Sequence, residues 1–328
     1  MELTPDGPAL PADQVRLLTK VARMYHEGGL RQPQIAERLR LSQPTVSRLL
    51  KQAQAIGIVR TTVIEPRGVH AGLEDEVERL YGLLEVVVAD TEDLAEEADV
   101  LPRIASAAAG YLETTLAADD RIGISSWSAT LLAATDLMHP RANLRAQQVV
   151  QVLGGHGSMA TQTLATRLAG RLAQVTRAEA VYLLAPGLVA TPAMRQALLD
   201  EPNVAGVMRA WEQLDVALLG IGSLEPSELL RESGNAIQDE DQERLRASGA
   251  IGDVCLRFFD ASGTHVRSPL DDRVLGISID LLRRVPRRIG VAGGSRKWGA
   301  VAAAVRGGWV NVLVTDYATA RHLLDLAS

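Results

Sequence analysis

The sequence predicts a small helical unit at the amino terminus followed by a larger α/β unit. Three observations lead to this fold class: two short helices between residues 33 and 57, a later alternation of apolar strands with amphipathic helices, and a division of charge. Residues 1–66 hold nine basic and six acidic side chains, whereas the remaining residues hold 25 and 34. The two parts are therefore expected to face different partners.

The two short helices have the spacing of a helix-turn-helix unit. The first begins at Pro33 and places the small residue Ala36 ten positions before Val46 of the second, which allows close packing. Ser42 caps the second helix and Gly57 ends it. A helix over 13–27 completes a three-helix core, and the alternation over 58–64 predicts a short strand or wing.

The second helix presents a polar face suited to DNA. Its expected base and phosphate contacts are Gln43, Thr45, Ser47, Arg48 and Lys51. The alternative is an ordinary helical hairpin with a solvated face. Residues 31–60 hold six basic side chains against one acidic side chain, in a chain of net charge −6. This contrast favours a polyanion partner. Separately, Arg40 lies in the turn between the two helices, where a left-handed backbone is expected.

Composition excludes several classes of protein. The chain has 328 residues, 47% of them hydrophobic, which is enough for a large core beyond one DNA-binding module. Its single cysteine, Cys255, lies in an apolar run, so we expect a core residue and no disulfide or thiolate metal site. No apolar stretch reaches membrane-spanning length, and the acidic, proline-rich start does not resemble a signal peptide. These features predict a cytoplasmic protein without a membrane partner, metal or cofactor.

The larger part predicts a parallel sheet covered by helices on both faces, because most of its strands are continuous apolar runs. The predicted strands cover 85–89, 121–125, 149–153, 180–184, 216–221, 254–258, 288–292 and 310–315. The predicted helices cover 73–81, 95–116, 129–138, 161–173, 193–199, 204–213, 277–285, 298–306 and 318–327.

Polar and glycine-rich loops follow four of these strands, where open α/β sheets bind ligands. The loop after Ala292 is the best phosphate cradle, because glycines, a hydroxyl and two cations precede a helix. Taken singly, each glycine-rich loop is more often an ordinary tight connection between a strand and a helix. Together, the four loops favour a small anionic ligand. The candidate loop residues are Ser125, Ser128, Thr130, Gly154, Gly155, Gly222, Gly293, Gly294, Ser295 and Lys297.

The phosphate is expected on a small molecule, because neither a dinucleotide fingerprint nor a nucleoside-triphosphate loop is present. Asp271, Asp272 or Gln151 are candidates for binding hydroxyl groups beside that phosphate. The two aspartates are equally compatible with a solvated turn after Pro269. His156, beside glycines, is interpreted as a loop residue, and no catalytic residue is assigned.

The ordered motifs resemble the SorC-type sugar-binding transcriptional regulators over nearly the whole chain. They are PQIAERLRLSQPTVSRLLKQAQAIGIV, VVQVLGG, LLAPG, VALLGIGS, GAIGDVCLRFFDASG and VAGGSRKWGAVAAAVRGGWVNVLVTDYATARHLL. The resemblance implies a winged-helix-like DNA-binding domain and a Rossmann-like effector domain related in fold to sugar-phosphate isomerases. It also implies operator DNA and a phosphorylated sugar as partners, and a homotetramer built as a dimer of dimers.

The resemblance assigns roles to matching residues. Gly293, Gly294, Ser295 and Lys297 resemble the effector-phosphate loop, with Lys297 as its cation, and Ser125, Ser128 and Thr130 resemble the opposite wall. Trp298 stands where a small residue is common in that family, and its bulk beside the phosphate is expected to shrink the pocket. The implied domains are a tail at 1–12, a DNA-binding domain at 13–66, a linker and helix at 67–82, and a sugar-phosphate-binding and oligomerisation domain at 83–328.

Two other functions remain open from the residues. The same fold accommodates a sugar-phosphate isomerase or hydrolase with a DNA-binding appendage, although no base, acid and oxyanion stabiliser can be assembled from the loops. A constitutive DNA-binding protein whose large domain only oligomerises is the third alternative. We therefore expect a regulator and not an enzyme.

Overall fold

A computed structural model describes residues 11–59, 66, 68–94, 99–141, 144–155, 159–225 and 237–326, with residues 159–165 described by their backbone only. The chain divides into two compact units, Met1–Glu65 and Pro66–Ser328. Among the helices within those ranges, none is long and apolar enough to cross a membrane. The small unit is all helical where it is described, and the large unit is α/β, as the sequence predicts.

Three helices make up the described part of the small unit: α1 (Ala12–His26), α2 (Gln32–Leu39) and α3 (Gln43–Ala55). Their apolar faces meet in one core that includes Leu18, Val21, Ala22, Ile35, Ala36, Val46, Leu49, Leu50 and Ala53. The Ser42 hydroxyl accepts a hydrogen bond from the Thr45 amide at 3.3 Å, which caps α3 as predicted. Arg40 adopts the expected left-handed backbone, with a φ of 54°. Most of the strand predicted over 58–64 lies outside the described residues.

The large unit alternates strands and helices along the chain. Its strands are β1 (Glu85–Ala89), β2 (Arg121–Ile124), β3 (Gln148–Gln151), β4 (Glu179–Val181), β5 (Val216–Gly220), β6 (Gly222–Ser223), β7 (Ala250–Val254), β8 (Arg257–Asp260), β9 (Arg287–Val291) and β10 (Val312–Asp316). Its helices are α4 (Ala71–Tyr81), α5 (Val100–Thr115), α6 (Ala129–Leu137), α7 (Met159–Thr176), α8 (Pro192–Leu199), α9 (Pro202–Trp211), α10 (Asp239–Ala247), α11 (Ile279–Arg284), α12 (Trp298–Arg306) and α13 (Tyr317–Asp325).

Seven strands form one parallel sheet in the order β1-β10-β9-β5-β2-β3-β4, and β6, β7 and β8 form a small antiparallel sheet. Successive residues of β5 enter opposite cores: Val216 and Leu218 pack on one face, and Ala217 and Leu219 on the other. Both faces are therefore buried, which explains the continuous apolar runs that predicted the strands.

The single strand predicted over 254–258 is wrong, because the chain turns there. Cys255 and Leu256 both have positive φ values, 53° and 60°, and they join β7 to β8 as an antiparallel hairpin. The Asp253 carboxylate accepts a hydrogen bond from the Leu256 amide at 2.9 Å, which stabilises the turn. Helix α10 was not predicted, because its sequence DEDQERLRA offers one apolar side chain, Leu245, to the core.

Candidate functional site

A cavity of about 890 Å³ lies at the carboxyl ends of β2 and β5, beside the β7–β8 hairpin. In the sheet order β5 lies between β9 and β2, so the loops after these strands reach the same edge. We call this space the strand-end cavity. Its polar lining includes Ser125, Ser128, Thr130, Asp253, Arg296 and Lys297. Ser223 from the loop after β5 also lines it, so three of the four predicted loops contribute polar side chains to one space.

The wall that follows β2 is built from hydroxyl groups and a helix start. Ser125 and Thr130 are buried, and the Ser125 side chain hydrogen-bonds the Cys255 thiol. Ser128 caps α6 by accepting the Leu131 amide at 3.2 Å. The next lining residues, Ala129 and Thr130, belong to the first turn of α6, whose amides have no intrahelical acceptor. This wall therefore combines hydroxyl donors with the positive end of a helix dipole.

The basic wall comes from the loop between β9 and α12. Gly294 adopts a φ of 88° and its amide donates to the Asp316 carboxylate at 2.8 Å. Asp316 is 1% exposed and also caps α13 by accepting the Thr319 amide. This anchor holds the loop while Arg296 and Lys297 line the cavity. Gly293, Gly294 and Ser295 shape the loop and do not themselves line the space.

Asp253 and Lys297 face the cavity as an electrostatically coupled pair. Burial raises the pKa of Asp253 to about 6, against the opposing effects of the Leu256 hydrogen bond and the Lys297 charge. Burial lowers the pKa of Lys297, and attraction to Asp253 opposes that shift. Gly222 leaves room for the Asp253 carboxylate, because a Cβ at that glycine would overlap it. The cavity thus holds one buried acceptor and one desolvated cation.

The residues predicted to contact DNA lie on α3. Gln43, Arg48 and Lys51 are exposed, and Ser47 is half-buried at the same face. Neither Arg48 nor Lys51 forms an ion pair with any residue in the described ranges. The Thr45 hydroxyl shares a 2.7 Å hydrogen bond with Ser42, so this side chain belongs partly to the cap.

Known proteins match both units. A family model for a sugar-binding domain matches residues 69–325, and one for a homeodomain-like domain matches residues 11–62. The deoxyribonucleoside regulator of Bacillus subtilis is 32% identical over 315 residues, which cover 95% of this chain and 98% of that protein. The chain belongs to the SorC-type family of sugar-binding transcriptional regulators. It is a DNA-binding regulator with a sugar-binding domain.

Two findings come from Klebsiella pneumoniae. The sorbitol operon regulator of that organism is 31% identical to this SorC-type regulator over 317 residues, which cover 95% of this chain and 99% of that protein. The crystal structure of the full-length sorbitol operon regulator SorC superimposes with a TM-score of 0.71 at 29% identity, covering 96% of this chain and all of that chain. The similarity to both named regulators thus extends over nearly their whole lengths.

In this SorC-type regulator the glycines after β3 contact Trp127 instead of lining the cavity. The Gly154 carbonyl accepts a hydrogen bond from the Trp127 indole at 2.9 Å, and a Cβ at Gly155 would overlap the same ring. Trp127 itself lines the strand-end cavity. Gly154 and Gly155 therefore affect the cavity indirectly, by fixing the position of the Trp127 ring that lines it. His156 lies outside the described residues.

The expected hydroxyl-binding residues lie elsewhere, which corrects the prediction that they face the phosphate loop. Asp271 and Asp272 line a second cavity, where the Asp271 carboxylate accepts hydrogen bonds from Arg257 at 2.9 Å and from the Ser268 amide at 2.9 Å. The Gln151 side chain is buried and its carbonyl oxygen accepts the Leu183 amide at 3.0 Å. Neither aspartate is therefore positioned beside Lys297.

The carboxylate that lines the cavity with Lys297 is Asp253, which the sequence interpretation did not select. A useful signal was present, because an acidic side chain interrupts the apolar run around Val254. Cys255 is buried as predicted, at 3% exposure, although it also lines the strand-end cavity. Trp298 stacks on His322 with ring centroids 4.5 Å apart and is not part of the cavity lining. Its bulk therefore lies against α13.

Proposed function

We propose that a small phosphorylated sugar binds in the strand-end cavity and controls operator binding by the helix-turn-helix unit. The observation that supports this most directly is the meeting of Arg296 and Lys297 with the hydroxyl-lined start of α6 in one cavity. Cations, hydroxyl donors and a helix start are the groups that bind phosphate in proteins. The volume of about 890 Å³ is also in the range of small-molecule sites.

In this proposal Asp253 binds the hydroxyl groups of the sugar. A buried carboxylate accepts hydrogen bonds from sugar hydroxyls, and leaving it unmatched by an apolar ligand costs free energy. Lys297 binds the phosphate while Asp253 selects a hydroxylated ligand over inorganic phosphate. The two residues belong to different segments, the β7–β8 hairpin and the loop before α12, so a bound sugar phosphate bridges them.

Control of DNA binding requires two arrangements of the protein. A ligand changes operator affinity only through its differential affinity for these arrangements, and operator DNA changes sugar affinity by the same factor. We propose a homotetramer, a dimer of dimers, in which paired α3 helices enter successive major grooves and the sugar phosphate changes subunit geometry. Sedimentation with and without operator duplex measures the assembly, and a monomer on operator DNA would contradict it.

The deciding experiment is a thermal-shift screen of the full chain against phosphorylated sugars. Each is paired with its unphosphorylated sugar and with inorganic phosphate. A ligand at about a hundred times its Kd stabilises the folded chain by about 2.7 kcal/mol. Hits are then tested for operator release, using a duplex selected from a random pool, and for turnover. Stabilisation with changed operator binding and no turnover supports the proposal. Turnover favours a sugar-phosphate enzyme, and no hit favours an oligomerisation scaffold.

Substitutions on α3 are expected to weaken operator binding in two distinguishable ways. Arg48→Ala should cost about 1–3 kcal/mol and relax sequence preference if the side chain reads a base. Lys51→Ala should weaken all sequences similarly and reduce the salt slope by about 1 if it meets phosphate. Fluorescence anisotropy across a salt series measures both. Arg321→Ala removes an exposed arginine of the large unit as the control, and unchanged affinity and slope for both α3 variants would exclude this face.

The affinity for the sugar phosphate is expected to depend on the protonation of Asp253. Burial raises the pKa of this residue to about 6, so its ionised form, the hydroxyl acceptor, is lost as pH falls through that value. Wild-type protein should therefore lose affinity relative to Asp253→Asn between about pH 8 and 5. The ratio of the two dissociation constants by titration calorimetry cancels the ligand's own phosphate titration. A constant ratio would remove Asp253 from hydroxyl binding.

A further inference from the structure

A second cavity, of about 1160 Å³, lies between the segment after β8, the start of α11 and the end of α12. None of its lining residues lines the strand-end cavity. We call it the arginine cavity, because its lining includes Arg195, Arg257, Arg267, Arg283 and Arg306. The regulatory role proposed above does not use this space.

The charge of the arginine cavity is unbalanced. Its five arginines face three aspartates, Asp271, Asp272 and Asp280, which leaves two cations in excess. Arg267 and Arg306 are exposed and form no hydrogen bond or ion pair with residues in the described part of the chain. Their guanidinium groups are therefore available to a ligand. Planar guanidinium groups bind phosphate and carboxylate oxygens in a bidentate manner.

The inner wall contains a buried arginine that is only partly satisfied. Arg257 is 6% exposed, and its Nη1 donates to the Asp271 carboxylate at 2.9 Å and to the Asp271 carbonyl at 3.2 Å. Its Nε is buried and has no hydrogen-bond partner among the residues that the structure describes. Leaving a buried charged donor unmatched costs free energy, which an acceptor would recover.

Arg195 brings a second cation to the same wall. Its Nε donates to the Val274 carbonyl at 2.9 Å, which fixes the side chain beside the cavity. Burial lowers the pKa of Arg195, and repulsion from Arg257 lowers it further. Two neighbouring guanidinium groups in a partly desolvated wall repel each other, and an anion between them would relieve that repulsion.

We propose that the arginine cavity is a second ligand site, which binds a small polyanion carrying at least two phosphate or carboxylate groups. A small ligand fits better than a nucleic-acid backbone, because the three aspartates interrupt the basic surface and would repel a continuous row of phosphates. The same aspartates would accept hydroxyl groups of a metabolite. The paired arginines at the inner wall and the exposed arginines at the rim would hold its two anionic ends.

Pyrophosphate binding to the full chain tests this site. The measurement uses titration calorimetry in a Lys297→Ala background, which removes the proposed phosphate cation of the strand-end cavity. Arg267→Gln/Arg306→Gln is expected to weaken pyrophosphate binding at least about tenfold. Arg284→Gln/Arg321→Gln makes the same change of charge at two exposed arginines that line neither cavity, and it should leave binding unchanged.

The outcomes separate this site from the proposed sugar-phosphate site. Equal pyrophosphate affinity for the parent and the Arg267→Gln/Arg306→Gln chain would overturn the proposal, as would equal weakening by the control pair. Loss of operator affinity with unchanged pyrophosphate binding would instead assign the arginines to DNA and also overturn it. If Lys297→Ala retains its response to sugar phosphates, the proposed effector role fails while the result for the arginine cavity stands.

Discussion

Replacing Lys297 with alanine is expected to abolish the response of operator binding to a phosphorylated sugar while leaving ligand-free operator binding unchanged. Lys297 lines the strand-end cavity and faces the buried Asp253 carboxylate. In the proposed complex Lys297 and the ligand phosphate form a charge pair away from bulk water, and truncating one partner of such a pair costs about 2–5 kcal/mol, or at least about thirtyfold in affinity. Titration calorimetry measures the loss of ligand binding, and anisotropy of labelled operator measures the loss of the response.

Two companion variants make the result specific. Lys297→Met keeps most of the side-chain volume while removing the charge, and it should lose the response as fully as alanine. Lys51→Ala should do the reverse, with weakened operator binding and unchanged sugar-phosphate affinity, because it lies in the other compact unit. A folded Lys297→Ala chain that still releases the operator in response to the ligand would remove Lys297 from phosphate binding.

The sheet was predictable because its strands are buried on both faces. In β5 the alternating residues Leu218 and Leu219 enter different cores, so the strand has no polar face and reads as a continuous apolar run. The same rule failed at the β7–β8 hairpin, where the largely apolar run at 254–258 contains a two-residue turn. Cys255 and Leu256 adopt positive φ values without glycine or asparagine, so no turn residue marks the position.

The strand-end cavity was only partly predictable, because sequence order does not give strand order. The loops after β2, β5 and β9 share the cavity since these three strands are neighbours in the sheet. β3 is also a neighbour of β2, yet Gly154 and Gly155 after β3 contact the Trp127 ring and do not line the cavity. The proximity of Asp253 to Lys297 depends on tertiary packing of the hairpin, and no spacing in the sequence encodes it.

Local signals were most reliable where one short segment determines the conformation. The Ser42 cap, Pro44 in the first turn of α3 and the left-handed Arg40 all depend on interactions within a few residues. Asp271 shows the opposite case. Its carboxylate is held by Arg257, fourteen residues away in sequence, so the turn that looked solvated or sugar-facing belongs to the wall of another cavity.

Replacing Gly263 with alanine is expected to lower the free energy of unfolding of the large unit by about 3–5 kcal/mol. The glycine has a φ of 81°, and a Cβ there would overlap the Ala303 carbonyl oxygen and the Gly307 amide nitrogen. These are main-chain atoms at the end of α12 and cannot rotate away. The Gly263 carbonyl also accepts the indole proton of the buried Trp309 at 2.8 Å, so a backbone shift would break that hydrogen bond.

Gly249 separates the effect of backbone conformation from that of space. Its φ of 79° is nearly the same, but a Cβ there would meet no atom of the described residues within 4 Å, so Gly249→Ala should cost only about 1–2 kcal/mol. All four tryptophans lie in the large unit, so denaturation followed by tryptophan fluorescence reports that unit selectively. Equal destabilisation by the two substitutions would show that α12 moves aside freely. A larger loss of unfolding free energy for Gly263→Ala would show that the segment after β8 packs tightly against the end of α12. The same packing holds Arg306 in the lining of the arginine cavity.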